Sequence, residues 1–357
     1  AQEKYVYSLI FNGVKLLCDI LIVVVTIKFK TLESIAIVIL AMKILEEIIN
    51  RIVVKKKYPE LHEIARKDTS MVKMTKDLAW TQLGYLILNN VDALLLMGFN
   101  GPVMVSIYTT YNYILRFLTE IASRVELSSV YSFGNVFAKK EEKRVYHLFK
   151  EYMMMFILIA FSMCLTFMIG IRGFVSVWVG KENYILDYIT IVLFTSTSFL
   201  NILYFPLVAL INADGLFKDN KKHIFICASV NLILSIILIN YLGINGILLG
   251  TGVAFLVNIA LKSNLISKKI TKEIKLSNIL KYYIITIILF IVLSVALKPV
   301  ENYFLLTAGS FITTILKLGI IFIIITLLTS LILYVVSNDA KNLFRRLLNL
   351  IKRKLKK

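Results

Sequence analysis

The chain has 357 residues, with only 4 Pro and 3 Cys, and no Gly/Ser/Pro-rich stretch that could act as a flexible linker. Cys18, Cys164 and Cys227 stand far apart inside apolar runs, without C-x-x-C spacing. That excludes a disulfide framework and a cysteine metal site, and the three read as small buried hydrophobes. His62, His147 and His223 occur singly, in what read as cytoplasmic loops. With no His/Cys/Asp/Glu cluster at ligand spacing, neither a metal nor another cofactor is expected. The G-x-x-x-x-G-K-[ST] pattern is missing, which removes that route to ATP hydrolysis. Acidic residues are few, 22 against 41 Lys+Arg, which leaves a net charge of +19.

What fills the sequence is apolar: 58% of residues are hydrophobic, and the mean hydropathy is +0.79. Soluble domains are about 45–50% apolar, so one core could not hold this excess, and water-soluble enzyme classes are close to excluded. In so apolar a chain the positive charge points to Lys/Arg-rich cytoplasmic loops rather than to a nucleic-acid partner. The chain opens abruptly at Ala1, before an apolar run and without a basic–apolar–small leader pattern, and it is expected to be a piece of a longer protein.

A bilayer core about 30 Å thick needs about 20 mostly apolar residues in a helix. Ten stretches meet that description: 7–27, 33–54, 77–98, 102–125, 152–171, 186–212, 222–241, 244–264, 279–297 and 311–334. The runs are continuous, which disfavours a β-barrel. The expected fold is an all-α polytopic membrane protein with about ten transmembrane helices. On alternate sides of these spans the cations divide into 30 on one side and 5 on the other, with 6 of the 41 inside spans. The richer side includes Lys4, the loops 55–76, 139–151, 214–223 and 262–281, and the tail 341–357. Its opposite holds Lys28, Lys30, Arg172, Lys181 and Lys298. By the positive-inside rule the richer side is cytoplasmic, and both termini face it. The tail Asn342–Lys357 sets Leu343, Leu347, Leu350 and Leu355 among seven cations and reads as a basic amphipathic helix on the anionic inner leaflet.

Gly243-Ile244-Asn245-Gly246 followed by Gly250-Thr251-Gly252 looks like a phosphate loop, but it lies between two spans without a strand–helix context. Close helix packing through small residues is the better reading. The longest outer loop has about fifteen residues, 172–187, too short for an external catalytic domain. Transport is what remains.

Charges inside spans are costly and face a cavity, a partner or a pathway. Lys15 with Asp19, and Lys43 with Glu47, are i,i+4 pairs, each able to meet on one helix face. Arg51 is expected to snorkel at a helix end. The third and fourth spans carry more. Asp92 follows Asn89 and Asn90, and beyond the turn Phe99-Asn100-Gly101-Pro102 come Tyr108, Tyr111, Asn112, Tyr113, Arg116, Glu120 and Arg124. Tyr108, Asn112, Arg116 and Glu120 recur every four residues, with Thr109 and Tyr113 beside them, and such a stripe should line a water-filled cavity. Arginine suits phosphate through its planar fork of donors, and tyrosines suit sugar rings. The alternative is a structural Arg116–Glu120 pair.

The pattern Leu83-Gly84…Asn90-Val91-Asp92, with Phe99-Asn100-Gly101…Tyr108…Tyr111-Asn112, resembles the bacterial O-antigen and capsular-polysaccharide flippases of the multidrug/oligosaccharidyl-lipid/polysaccharide exporter superfamily. Further matches are Lys57-Tyr58-Pro59, Ser132-Phe133-Gly134-Asn135, Val177-Trp178-Val179-Gly180, Asn212-Ala213-Asp214-Gly215-Leu216-Phe217-Lys218 and the run from Leu242 to Thr251. Each is loose, but together, in order, they cover roughly residues 55–260.

The resemblance implies two lobes of six helices, often with an extra pair, alternating between inward-open and outward-open states. Residues 1–54 would then be the last two helices of an N-terminal lobe and 55–76 an interlobe linker. Residues 77–264 would be the six-helix C-terminal lobe, 265–336 the extra pair and 337–357 the basic tail. About four N-terminal helices of that pattern are missing, so an isolated copy should be unable to transport. By the same resemblance the substrate is an undecaprenyl-pyrophosphate-linked oligosaccharide in the bacterial cytoplasmic membrane, with membrane lipids and polysaccharide polymerase machinery as partners. Arg116, Lys15, Lys43, Tyr108, Asn112 and Tyr113 are the cavity candidates. Asp92, Asp19, Glu47 and Glu120 are candidates for coupling to a proton or sodium gradient. A drug/cation antiporter of the same superfamily and a membrane glycan-processing enzyme remain the alternatives.

Overall fold

The computed structural model describes residues 19–25, 27–28, 31–57, 69–139, 142–270 and 273–355. Of these described residues 93% are helical and none is in a strand. The chain divides into two compact units, Ala1–Ser70 and Met71–Lys357, and the boundary falls within the polar stretch 55–76. In the first unit, helix α1 spans Leu32–Lys57.

The second unit begins within the first turn of α2, Thr69–Ala138, which is broken at Gly101. There φ is 80° and ψ is 177°, a backbone conformation that glycine reaches without a Cβ clash, and Pro102 follows without an N–H to continue the helical ladder. Next come α3 (Glu142–Val179), a single 3-10 turn (Glu182–Tyr184), α4 (Tyr188–Leu203), α5 (Phe205–Asp214), α6 (Phe217–Leu242) and α7 (Ile244–Lys269). The remainder is α8 (Leu276–Ala296), α9 (Lys298–Leu306), α10 (Phe311–Val336) and α11 (Asn338–Leu355).

Seven helices among the described residues are long and apolar enough to cross a membrane, which marks a membrane protein. The expected count of ten is not reached among them. The first expected span lies largely outside the described residues. The second is α1, whose Glu33, Lys43, Glu46, Glu47 and Arg51 make it too charged to qualify. The third and fourth are the two halves of α2 on either side of the Gly101 break, which count together as one of the seven. Apolar side chains cover the outside as well as the core. On α10, Ile312, Leu316, Ile320, Ile323, Leu327 and Leu331 are all more than half exposed, and Thr314 is the one buried residue of that helix. A surface of that kind is satisfied by lipid tails and not by water.

Helix α3 is the axis of the unit and packs against α4, α9, α10 and α11. The core between α3, α4 and α8 is aromatic: Phe199 stacks on Phe290 with ring centroids 3.9 Å apart, and Phe161 meets both edge-on. The break between α4 and α5 lies at Tyr204, just before Pro206, and leaves the Leu203 carbonyl outside the helical ladder. The buried Tyr283 hydroxyl of α8 donates to that carbonyl at 2.9 Å. Backbone freed inside a membrane segment needs such a partner. Tyr283→Phe should therefore lower stability by about 1–3 kcal/mol, read as an earlier thermal transition of the purified protein; an unchanged transition would remove this role.

Helices α6 and α7 form the closest pair. A Cβ on Gly246 would overlap the Leu238 carbonyl oxygen, and one on Gly250 would come within 2.9 Å of the Ser235 backbone nitrogen. The glycines of the Leu242–Thr251 run are thus the points where the two backbones touch. Gly250→Val should separate the pair, lose more than about 2 kcal/mol to overpacking and cut the folded yield in the membrane. Normal yield and melting would contradict the tight seam.

Several cations expected in loops lie within helices, among them Arg172 and Lys262. Arg172 lies inside α3 and pairs with the fully buried Glu301 of α9 at 3.2 Å, fixing that short helix against the bundle. Burial raises the Glu301 carboxyl above its ordinary range, and Arg172 draws it part of the way back. Lys262 lies inside α7 with no exposed surface. His223 likewise belongs to α6, half-buried, rather than to a loop.

Candidate functional site

The break at Gly101 folds the two halves of α2 back on each other, so residues 16 apart in sequence meet. Tyr108 donates its hydroxyl to Asp92 Oδ2 at 3.1 Å. From α7, Thr251 Oγ1 donates to the same carboxylate, at 3.2 Å from Oδ1 and 3.0 Å from Oδ2. From α6, Asn231 Nδ2 donates to Thr251 Oγ1 at 2.8 Å. Since a threonine hydroxyl has one proton, the order is fixed: Asn231 to Thr251 to Asp92. All four side chains are buried, and no ion pair reaches Asp92 among the described residues. Asn231 Oδ1 is buried without a hydrogen-bond partner there. A carboxylate, a hydroxyl and an amide carbonyl within one cluster are oxygen donors suited to a proton or a hard cation.

Asp92, Tyr108 and Thr251 form the floor of a cavity of about 60 Å³, room for a few waters, lined also by Asn112, Arg116, Thr119, Thr197, Ser198 and Asn201. Arg116, Thr119 and Asn201 are shared with a wider concavity of about 640 Å³, which adds Tyr113, Phe117, Glu120 and Ser123. The four-residue stripe Tyr108, Asn112, Arg116 and Glu120 thus runs from the buried carboxylate to an open mouth. Arg116 is exposed and donates from Nη2 to Asn90 Oδ1 at 3.3 Å. It forms no ion pair with Glu120 among the described residues, so the alternative of a structural Arg116–Glu120 pair is not what the structure shows. Tyr113 is 68% exposed at the mouth, whereas Tyr108 is packed against Phe194 with ring centroids 5.2 Å apart.

Tyr111, one turn from Tyr108, has a different task. Its hydroxyl donates to the Tyr184 carbonyl at 2.9 Å and accepts from the Leu186 N–H at 3.1 Å, pinning the loop 180–187 over that end of the helices. Asp187 caps α4 through Thr190 N–H at 3.1 Å. Burial alone would raise its carboxyl, but the Thr190 hydroxyl and N–H hold it below the ordinary aspartate range.

The other sequence candidates belong to the first unit or lie outside the described residues. Lys15 is outside them, and with it the Lys15–Asp19 pair. Asp19 is exposed on a helical segment. Lys43 reaches Glu46 at 2.8 Å and Glu47 accepts from Arg51 at 2.9 Å, so both turn to other partners than the i,i+4 pairing expected between them.

Lys262, expected in a loop, is instead a buried cation of α7. It donates to Asn220 Oδ1 and lies 6.0 Å from the centre of the Tyr85 ring, and the buried Asn258 one turn away has no hydrogen-bond partner among the described residues. Asn201, Asn231 and Thr251 are further site residues that the sequence does not mark as such; Thr251 shows there only within the 243–252 glycine pattern. No group of three or more His, Cys, Asp or Glu side chains among the described residues could hold a metal ion. No family model, curated protein or solved structure matches this chain.

Proposed function

We propose that this chain is a flippase that moves undecaprenyl-pyrophosphate-linked oligosaccharide repeat units across a bacterial cytoplasmic membrane by alternating access, for export of a surface polysaccharide. The observation that carries the reading is the polar channel from Asp92 to Arg116 within an otherwise apolar helical unit. A guanidinium with one hydrogen-bond acceptor, Asn90, keeps donors for a pyrophosphate, and Tyr113 and Asn112 beside it offer a stacking face and an amide to sugars. Asp92, with its fixed order of donors, would couple the cycle to a proton or sodium gradient, with Glu120 at the mouth and Asp19 and Glu47 of the first unit as further candidates. Both termini would face the cytoplasm, and polysaccharide polymerase machinery would take the product. The ordered motifs over residues 55–260 support the same reading.

Deleting the gene should remove the surface polysaccharide while isolated membranes still build the lipid-linked repeat unit. Loss of glycosyl transfer in those membranes would instead identify a glycan-processing enzyme. Loss of resistance to cationic drugs, with polysaccharide intact, would identify an antiporter; Arg116 in the cavity argues against cationic substrates.

A further inference from the structure

A second concavity, of about 710 Å³, lies at another end of the same unit, where α2 finishes, α3 begins and α11 crosses them. Lys139, Arg144, His147 and Arg346 converge on it from those three helices, with Ser132 and Asn135 between them. The single acid on its wall, Glu151, is already engaged by Arg346 at 2.9 Å. Next to it runs a groove of about 240 Å³ that shares Ser132, Leu148, Glu151 and Arg346 and is otherwise walled by Val125, Ser128, Tyr152, Met155 and Leu343. Besides Arg346–Glu151, Lys150 meets Asp339 at 3.5 Å, so α11 is tied to α3 at two points and its wall of the site is held in place.

We propose that this place binds an anionic phospholipid, with the phosphate in the basic concavity and the start of an acyl chain in the apolar groove. The two halves fit the two parts of one amphiphile. Arginine presents a fork of donors and lysine a point charge to phosphate oxygens, while Val125, Leu148, Met155 and Leu343 offer only apolar contact. A free phosphate would use the first half and leave the second empty. The cations that build the site lie just past the end of α2, in the first turns of α3 and in α11, within the segments 139–151 and 341–357 whose Lys/Arg excess points to the anionic inner leaflet. None of these residues lines the Asp92–Arg116 channel, so the proposal does not depend on what that channel carries.

The test is lipid retention by the purified full chain, followed by native mass spectrometry with phosphatidylglycerol and phosphatidylcholine of matched acyl chains. Phosphatidylglycerol should be retained in preference, and Lys139→Gln with Arg144→Gln should weaken its retention roughly tenfold. That pair leaves the Arg346–Glu151 contact intact. Lys222→Gln with Lys268→Gln, which removes two exposed cations elsewhere, should have no effect, and Met155→Ser should weaken the lipid without altering inorganic phosphate. Equal losses in both double variants would mean diffuse charge and overturn the site. Equal retention of phosphatidylcholine, or displacement of phosphatidylglycerol by millimolar inorganic phosphate, would overturn the lipid assignment.

Discussion

Arg116→Ala, placed in the chromosomal gene, is expected to abolish surface polysaccharide while the amount of protein in the membrane stays normal. The two halves of that expectation have separate causes. Arg116 is exposed to the cavity, and its side-chain hydrogen bond to Asn90 is 3.3 Å long, so removing it should cost well under about 1 kcal/mol of stability. If the guanidinium holds pyrophosphate, however, no neighbour can replace its fork of donors, because the rest of the cavity is lined by hydroxyls, amides and apolar groups apart from Asp92. Arg116→Lys keeps the charge without the fork and should restore only part of the export. Polysaccharide staining beside an immunoblot reads both quantities. Normal polysaccharide in Arg116→Ala would remove Arg116 from the site.

Asp92→Asn is expected to lower the gradient-driven rate roughly tenfold to a hundredfold, the usual range for a coupling free energy, without unfolding the protein. Asparagine keeps an oxygen that can accept from Tyr108 and Thr251, but it has neither the negative charge nor a titrating proton. Asp92→Ala differs, because it leaves the buried Tyr108 and Thr251 hydroxyls without their acceptor, at about 1–3 kcal/mol each. Loss of function in both variants with loss of stability only in the alanine would separate coupling from support. Full activity in Asp92→Asn would assign the carboxylate a structural role alone.

The membrane spans of the second unit were legible from composition, because a helix that crosses lipid must be apolar along its length. Span 222–241 lies within Phe217–Leu242, and 279–297 overlaps Leu276–Ala296. The turn at Phe99–Pro102 was legible from Gly101 and Pro102, and close packing at the 243–252 glycines from their spacing. Positions that depend on which helix lies behind another were not legible. Lys262 follows an apolar run and by sequence falls in the loop 262–281, yet α7 continues to Lys269 and turns that side chain into the unit. Arg172 was counted outside for the same reason, although its partner Glu301 lies 129 residues away. Asp92 stood out by its charge, whereas Asn231 and Thr251 become part of a site only when α6 and α7 bring them to it. Tyr111 stands outside the four-residue stripe, and the fold gives it a task of its own: Tyr108 faces the carboxylate, whereas Tyr111 holds a loop.

A flippase changes which leaflet holds the lipid-linked oligosaccharide, so the most direct measurement is the sidedness of that lipid. Spheroplasts depleted of this protein, and the same cells with it restored, can be treated with a membrane-impermeant reagent that labels sugars, and the lipid-linked repeat unit then extracted. Depletion should leave the repeat unit unlabelled and accumulating in the inner leaflet, restoration should return it to the labelled pool, and Arg116→Ala should behave like depletion. A labelled fraction that does not change on depletion would contradict the account.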